Sequence, residues 1–294
     1  MKNTYRKGII LAGGMGTRLY PITSAVSKQL LPIYDKPMIY YSLSILMLAR
    51  IKDILIISNE DNLPLYRKLL GDGSKLGIRI SYECQYEPRG IADAFLVGEK
   101  FIGTNPVALI LGDNMFYGQG ITEKLFNANK NMQEACIFGC WVDDPSSYGN
   151  VEFNNKNELI SIEEKPVKPK SNYAVTGLYF YPNSVVNIAK NLKPSLRGEL
   201  EITDINNVYL NENNLKLNIL GRGFTWFDTG SHDSLLDAAN FVRSIEKNQG
   251  LKIACLEEIS LNNKWIEIDT IKNNLNFKSS YSNYLAKLIE KYES

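Results

Sequence analysis

The apolar residues fall into short runs at regular spacing, and the texture of those runs changes once along the chain. Residues 8–12 (Gly-Ile-Ile-Leu-Ala) are continuously apolar, as in a short strand buried on both faces. An apolar stretch over about 38–50 predicts a helix, and Asp53–Ser58 (Asp-Ile-Leu-Ile-Ile-Ser) predicts a second strand of the same kind. A helix over 61–70 ends at Gly71-Asp72-Gly73; then come a strand over 78–84, a helix over 91–100 and a buried strand over Val107–Leu111. Strands alternating with helices predict right-handed βαβ crossovers and an α/β fold with a Rossmann-like, doubly wound sheet.

After about residue 130 the runs shorten. Segments 135–142, 149–154, 159–163 and 174–181 predict strands joined by polar turns such as Asn154-Asn155-Lys156-Asn157. They either extend the sheet as mixed strands or form a small subdomain. Residues 231–247 predict a long helix with Ser and Asp at its start, and from Gly250 the chain reads as helical and Asn-rich. The expected division is a core over 1–250, with halves meeting near 130, and accessory helices over 251–294.

Composition adds mainly exclusions. The 294 residues are 44% hydrophobic and 22% charged, enough for a full core, and the net charge of +1 offers no field to hold nucleic acid nonspecifically. The N-terminus shows no signal-peptide pattern, and the longest apolar stretch, 38–49, is too short to span a bilayer, so the expected location is the cytoplasm, with no membrane partner. Four cysteines make no CxxC pair; Cys136 and Cys140 lie in an apolar segment and read as buried thiols before a metal pair.

Candidate chemistry begins directly after the first strand, in Gly13-Gly14-Met15-Gly16-Thr17-Arg18. Glycines let amide groups approach an anion closely, and Arg18 adds a forked cation suited to phosphate oxygens. The loop fits neither common nucleotide fingerprint: no start places Gly at positions one, three and six, and no Gly-Lys-Ser/Thr ends it. Lys28, in Ser27-Lys28-Gln29-Leu30-Leu31-Pro32, can fold back as a second phosphate cation or snorkel at the surface. Asp113 follows the strand Val107–Leu111, and Asp228 ends the strand-like run Phe224-Thr225-Trp226-Phe227. Read alone, each carboxylate is equally a turn residue or a metal ligand.

Leu11-Ala12-Gly13-Gly14-Met15-Gly16-Thr17-Arg18-Leu19 together with Lys28-Gln29-Leu30-Leu31-Pro32 resembles the signature of the nucleoside-diphosphate-sugar pyrophosphorylases. Tyr34-Asp35-Lys36-Pro37-Met38-Ile39-Tyr40-Tyr41, Leu111-Gly112-Asp113-Asn114, Glu163-Glu164-Lys165-Pro166, Tyr173-Ala174-Val175-Thr176-Gly177 and Arg197-Gly198-Glu199-Leu200-Glu201-Ile202-Thr203-Asp204 narrow it to the glucose-1-phosphate thymidylyltransferases among them, over residues 7–290. Ser42 departs from the pattern, standing where Pro is expected.

The resemblance implies attack of glucose 1-phosphate on the α-phosphorus of dTTP, with Mg²⁺ held by Asp113 and Asp228 and with Arg18, Lys28 and Lys165 as catalytic cations. It implies nucleotide contacts from Leu11, Gly13, Gly14, Gly16, Thr17, Gln29, Gln85, Pro88 and Gly90, Gln85 reading the imide edge of thymine while Arg89 stays solvated. Sugar contacts are implied for Asn114, Gly149, Glu164 and Val175, with Trp226 either core packing or a pocket wall. A homotetramer is implied, with a feedback site for a nucleotide sugar that uses Gly118, Gly221, Arg222 and Cys255. The alternatives are a uridylyltransferase of the same fold and a noncatalytic sugar-nucleotide sensor. Such a displacement calls for positioned cations and no general base, which suits a chain with one histidine, His232.

Overall fold

Continuous apolar runs have to be covered on both faces. The computed structural model, which describes residues 5–275 and 278–293, covers them with helices on either side of one sheet. Strand β1 (Lys7–Leu11) leads to a small hairpin of β2 (Pro32–Ile33) and β3 (Lys36–Pro37), then to helix α1 (Ile39–Leu48) and strand β4 (Asp53–Ser58). Helix α2 (Leu63–Leu70), strand β5 (Arg79–Cys84), helices α3 (Asp93–Val97) and α4 (Glu99–Ile102) and strand β6 (Val107–Leu111) complete the first half. β1 runs parallel between β4 and β6, with β5 parallel beyond β4. Alternate residues serve opposite faces: Ile10, Ile56 and Ile110 pack with Leu43 and Leu46 of α1, while Ile9, Ile57 and Leu109 pack with Phe95 of α3 and Ile102 of α4.

The second half contributes β7 (Asn114–Tyr117), α5 (Ile121–Lys130), β8 (Ala135–Trp141), β9 (Gly149–Phe153), β10 (Leu159–Glu164), β11 (Tyr173–Tyr181), α6 (Val185–Asn191), α7 (Ile202–Asn211), β12 (Leu215–Leu220) and β13 (Thr225–Asp228). Of the two arrangements open to the later strands, extension of the sheet is the one adopted: β8 to β12 bring it to nine strands among the described residues.

The branching of β11 makes room for a site. Its last residues, Leu178–Tyr181, pair antiparallel with β6, and on the same edge Ala174 pairs with Asn150 of β9. Between those pairings this edge of β11 has no partner strand among the described residues, so a gap opens beside the carboxyl ends of β1 and β6. The chain winds outward from β1 through β4 to β5 and returns at β6, so the gap lies at the switch point where open α/β sheets bind ligands.

The helix expected over 91–100 is broken in two at Gly98. A Cβ there would lie 2.9 Å from the Ala94 carbonyl oxygen and 3.0 Å from Ile9 Cδ1, so the chain presses too closely on β1 for a side chain. Helix α8 (His232–Gln249) starts at a capping box between Ser231 and Ser234 and stops at Gly250, φ +68°. Its end is tied to the β2–β3 hairpin through buried Glu246, which accepts from Lys36 (2.9 Å) and Lys252 (2.7 Å). Helices α9 (Leu256–Asn262), α10 (Ile268–Asn274) and α11 (Ser280–Glu293) share a small core of Cys255, Ile271, Leu285 and Leu288. No helix among the described residues is long and apolar enough to cross a membrane.

Candidate active site

The loop after β1 is shaped by what its glycines allow. A Cβ on Gly13 would sit 2.9 Å from Gln85 Oε1, and Gly16, at φ +62°, opens the turn that carries Thr17 and Arg18. Gly14 and Arg18 are exposed, and Leu11 is partly buried at the end of β1. The Arg18 guanidinium reaches the carboxylate region by lying on Gly230, where a Cβ would be 2.5 Å from Nη2 and 3.1 Å from Asp228 Oδ1. Gln29 is buried, and its Oε1 accepts from Ser27 Oγ (2.8 Å) and Tyr66 OH (3.3 Å), which leaves Nε2 as the available donor. Lys28 is buried as well and pairs with Asp113 Oδ2.

Strand register brings the two carboxylates together. β13 pairs antiparallel with β7, with Asp228 opposite Asn114, the neighbour of Asp113. Thr229 holds the Asp113 carbonyl oxygen with its backbone N–H (3.1 Å) and its hydroxyl (2.8 Å). Ser42, the departure noted in the sequence, places its hydroxyl 3.1 Å from the carbonyl oxygens of both Leu111 and Asn114, fixing the turn from inside α1. Burial pushes the Asp113 carboxyl up, but the Lys28 ammonium and a 3.1 Å bond from Asn114 Nδ2 outweigh it and hold Asp113 below the usual aspartate range. For Asp228, burial and then the charge of Asp113 push the carboxyl up, against the pull of Lys28, Arg18 and Lys165. Among the described residues none donates a hydrogen bond to the Asp228 carboxylate. A hard divalent cation fits this pair of oxygen donors, and it would have to share an anionic substrate, since no group of three or more His, Cys, Asp or Glu converges among the described residues.

The gap beside β11 forms a cavity of about 530 Å³ that both carboxylates line. Asn114 organises its floor: its Oδ1 accepts from the Gly177 amide (3.0 Å) and from Trp226 Nε1 (2.6 Å), and its Nδ2 turns to Asp113. Trp226 packs partly buried against the main core and also walls the pocket, with Tyr148 edge-on to it at 5.0 Å between ring centroids. Gly149 and Val175 close the far side, and a Cβ on Gly149 would lie 3.2 Å from Thr203 Oγ1. Glu164 accepts from the Thr203 hydroxyl. Lys165 follows it at φ +44°, a backbone conformation a non-glycine residue seldom holds, and its amide donates to the Tyr148 carbonyl oxygen (3.0 Å).

Three further residues, outside the set that the sequence implies, line the cavity. Arg197 lines the cavity 3.8 Å from Glu164 and is tethered to Glu199 (3.0 Å) and Glu201 (2.9 Å); Tyr148 and Thr203 line it too. The Arg197 motif was visible, but its reach across to β10 depends on where α7 begins. The base-reading candidates lie apart from this cavity. Gln85 is buried against the loop, Pro88 is exposed, and Gly90, at φ +107°, has a direct packing reason to be glycine: a Cβ would stand 2.5 Å from the Leu200 carbonyl oxygen. Arg89 is exposed, as expected, and its guanidinium also pairs with Asp93 (2.7 Å). Of the regulatory candidates, Gly118 lies under Phe224, which with Gly221 and Arg222 lines a separate depression. Cys255, the remaining regulatory candidate, is 1% exposed and packed in the C-terminal core, with the Tyr281 hydroxyl 3.5 Å from its sulfur.

The family model described as nucleotidyl transferase matches residues 7–245. The chain belongs to the nucleotidyl transferase family. Within it, a glucose-1-phosphate thymidylyltransferase of Neisseria meningitidis is 54% identical, covering 97% of this chain and all of that one. A Bacillus anthracis structure described as a glucose-1-phosphate thymidylyltransferase, in complex with sucrose, superposes with a TM-score of 0.75 at 42% identity, over 81% of this chain and 95% of that one. A solved UDP-glucose pyrophosphorylase with UDP-glucose, at 24% identity and a TM-score of 0.70 over 82% of this chain and the whole of that one, shares the fold of this nucleotidyl transferase.

Proposed function

We propose that this enzyme transfers the thymidylyl group of dTTP to α-D-glucose 1-phosphate, giving dTDP-glucose and pyrophosphate, a product that can feed deoxysugar synthesis. The observation that carries the reading is that Arg18 from the loop side and Lys165 from the far strand line one cavity with Asp113 and Asp228, while Lys28 pairs with Asp113 at its edge. Two anionic substrates can meet there, each with its own cations. A sugar-phosphate oxygen forms the new bond to the α-phosphorus, and the bond to the β-phosphate oxygen breaks with its electron pair leaving on pyrophosphate. The nucleophile is already ionised at neutral pH, so no proton needs moving.

In this reading Arg18 and Lys28 neutralise the triphosphate while the loop amides of Gly13, Gly14, Gly16 and Thr17 cradle it. Lys165 and Arg197 hold the sugar phosphate in line, Glu164 accepts from sugar hydroxyls, and the backbone at Gly149 and Val175 with Asn114 shapes the sugar site. Gln85 reads the imide edge of the base. Asp113 and Asp228 would hold Mg²⁺, which supplies Lewis-acid neutralisation of phosphate oxygens when bound. The relatives' names support the substrates; the donor chemistry supports the cation. Assembly as a homotetramer, and a feedback nucleotide-sugar site at Gly118, Gly221 and Arg222, belong to the same proposal and rest on the family resemblance and the cationic depression at Arg222.

The test measures pyrophosphate release with Mg²⁺, glucose 1-phosphate and each nucleoside triphosphate in turn. Fastest release with dTTP is expected. A wide preference for UTP would make the enzyme a uridylyltransferase, and dTTP binding by calorimetry without turnover at any Mg²⁺ concentration would make it a sensor.

A further inference from the structure

Gln85 leaves the end of β5 with its amide N–H bonded to the Ser58 carbonyl oxygen (2.8 Å), and its side chain lies over Gly13. Nε2 donates to Asp93 Oδ2 at 2.9 Å. Asp93, the first residue of α3, is 1% exposed, and its other oxygen accepts from Arg89 Nη2 at 2.7 Å. A side-chain amide can normally swap its nitrogen and oxygen ends to suit whatever faces it. A carboxylate only accepts, so the end of Gln85 beside Asp93 must be the nitrogen, and Oε1 is left facing Gly13.

We infer that Asp93 is a positioning residue that fixes the amide orientation of Gln85 and thereby sets which pyrimidine edge the enzyme accepts. The inference rests on the reading of Gln85 as the base contact. Thymine offers an N–H donor at N3 beside an acceptor at O4. Cytosine offers the reverse, an acceptor at N3 beside an amino donor at N4. An amide free to flip satisfies either edge, whereas one locked by an acceptor-only neighbour satisfies one and leaves the other unpaired at both positions. Uracil has the same edge as thymine, so the lock excludes cytosine without separating thymine from uracil. Arg89 provides the countercharge for Asp93, and the segment is anchored by Leu200, whose amide donates to the Arg89 carbonyl oxygen (2.7 Å) and whose carbonyl accepts from Ala92 (3.2 Å).

The test is the ratio of kcat/KM for dTTP to that for dCTP, with dUTP as the control, in the full-length enzyme. Asp93→Asn can donate as well as accept, so Gln85 is free to flip; the dTTP/dCTP ratio should fall about 10- to 100-fold, the size of discrimination one two-point base contact supplies, with dTTP/dUTP unmoved. Arg89→Met removes the ion pair but keeps the acceptor and should retain the ratio. If the Asn variant does not accumulate, Asp93→Ser serves in its place with the same expectation. An unchanged dTTP/dCTP ratio on replacing Asp93, or an equal fall in Arg89→Met, overturns the inference. Gln85→Ala separates the two layers: an unchanged ratio there removes Gln85 as the base contact, while a collapsed ratio there with none on replacing Asp93 removes only the positioning role.

Discussion

Replacing Lys28 with Met tests the electrostatic core of the site, because it removes the cation paired with Asp113 while keeping the aliphatic stem. The Lys28 and Asp113 side chains are 9% and 15% exposed, so the pair is largely withdrawn from water. Stripping one partner from a buried ion pair costs about 3–5 kcal/mol, since the remaining charge stays desolvated. Asp113 keeps its Asn114 hydrogen bond and borders an open cavity, which places the expected loss in the lower part of the range. A loss of about 3 kcal/mol corresponds to roughly 6–10 °C in Tm for a chain of this size. With Lys28 gone, Asp113 and Asp228 face each other with less cationic relief, so Mg²⁺ should bind and stabilise the variant more than the parent. At a hundred times its Kd a ligand contributes about 2.7 kcal/mol, enough to recover most of the deficit. Thermal melts in EDTA and across a MgCl₂ titration read both effects, with Ca²⁺ as a second oxygen-seeking cation. A melting temperature unchanged in EDTA would mean the pair carries no stability. A deficit that Mg²⁺ leaves untouched would mean the two carboxylates do not form the cation site.

Asp113→Asn keeps the shape of the turn and an oxygen for Lys28 while removing one ligand charge; turnover should fall by about 10³-fold or more, with Tm lowered less than in Lys28→Met because Asp228 still offers Lys28 a counter-charge, and normal turnover would move the metal site elsewhere. The raised Asp228 carboxyl predicts an acid limb in kcat/KM above the ordinary aspartate range, displaced to lower pH as Mg²⁺ rises because metal and proton compete; a limb insensitive to Mg²⁺ would refute this. For the metal-free protein the sign is opposite to the usual carboxylate: between the ordinary aspartate value and its own raised value Asp228 holds a proton only when folded, so its contribution to stability grows as pH falls through that window, and Asp228→Asn should flatten that slope in pH-dependent melts. Arg197→Ala should raise KM for glucose 1-phosphate about 10- to 100-fold, the worth of one charge-assisted hydrogen bond, with KM for dTTP steady; equal shifts in both would remove it from the sugar-phosphate side.

Much of this enzyme is legible in its linear order. Apolar runs without alternation at 8–12, Asp53–Ser58 and Val107–Leu111 require helices on both faces, and that requirement alone dictates the layered sheet. Glycines and a cation directly after β1 announce an anion site, because few other residue types let amides and charge gather so closely. Helices α6 and α7 and strand β12 lie outside the elements the pattern predicts. Their positions are set by long-range packing: β12 pairs with β8, and α6 and α7 contribute to the core on one face of the sheet.

What sequence order could not supply is convergence. Asp113 and Asp228 stand together because β13 pairs with β7 in one register, and a slip of one residue would turn Asp228 to the other face. The cavity exists because β11 runs on past the end of β6 before meeting β9, a property of pairing and not of any local run. Trp226, read from the sequence as core packing before pocket wall, is both: it packs against the main core and turns one face to the cavity, held there by the bond from its indole N–H to Asn114. Ser42, a departure without evident purpose in the sequence, acquires one from two carbonyl oxygens far along the chain. The residue types and local backbone freedom set which chemistry this protein could hold; long-range strand pairing decided where the charges meet, because contacts between distant residues depend on the register of the whole sheet.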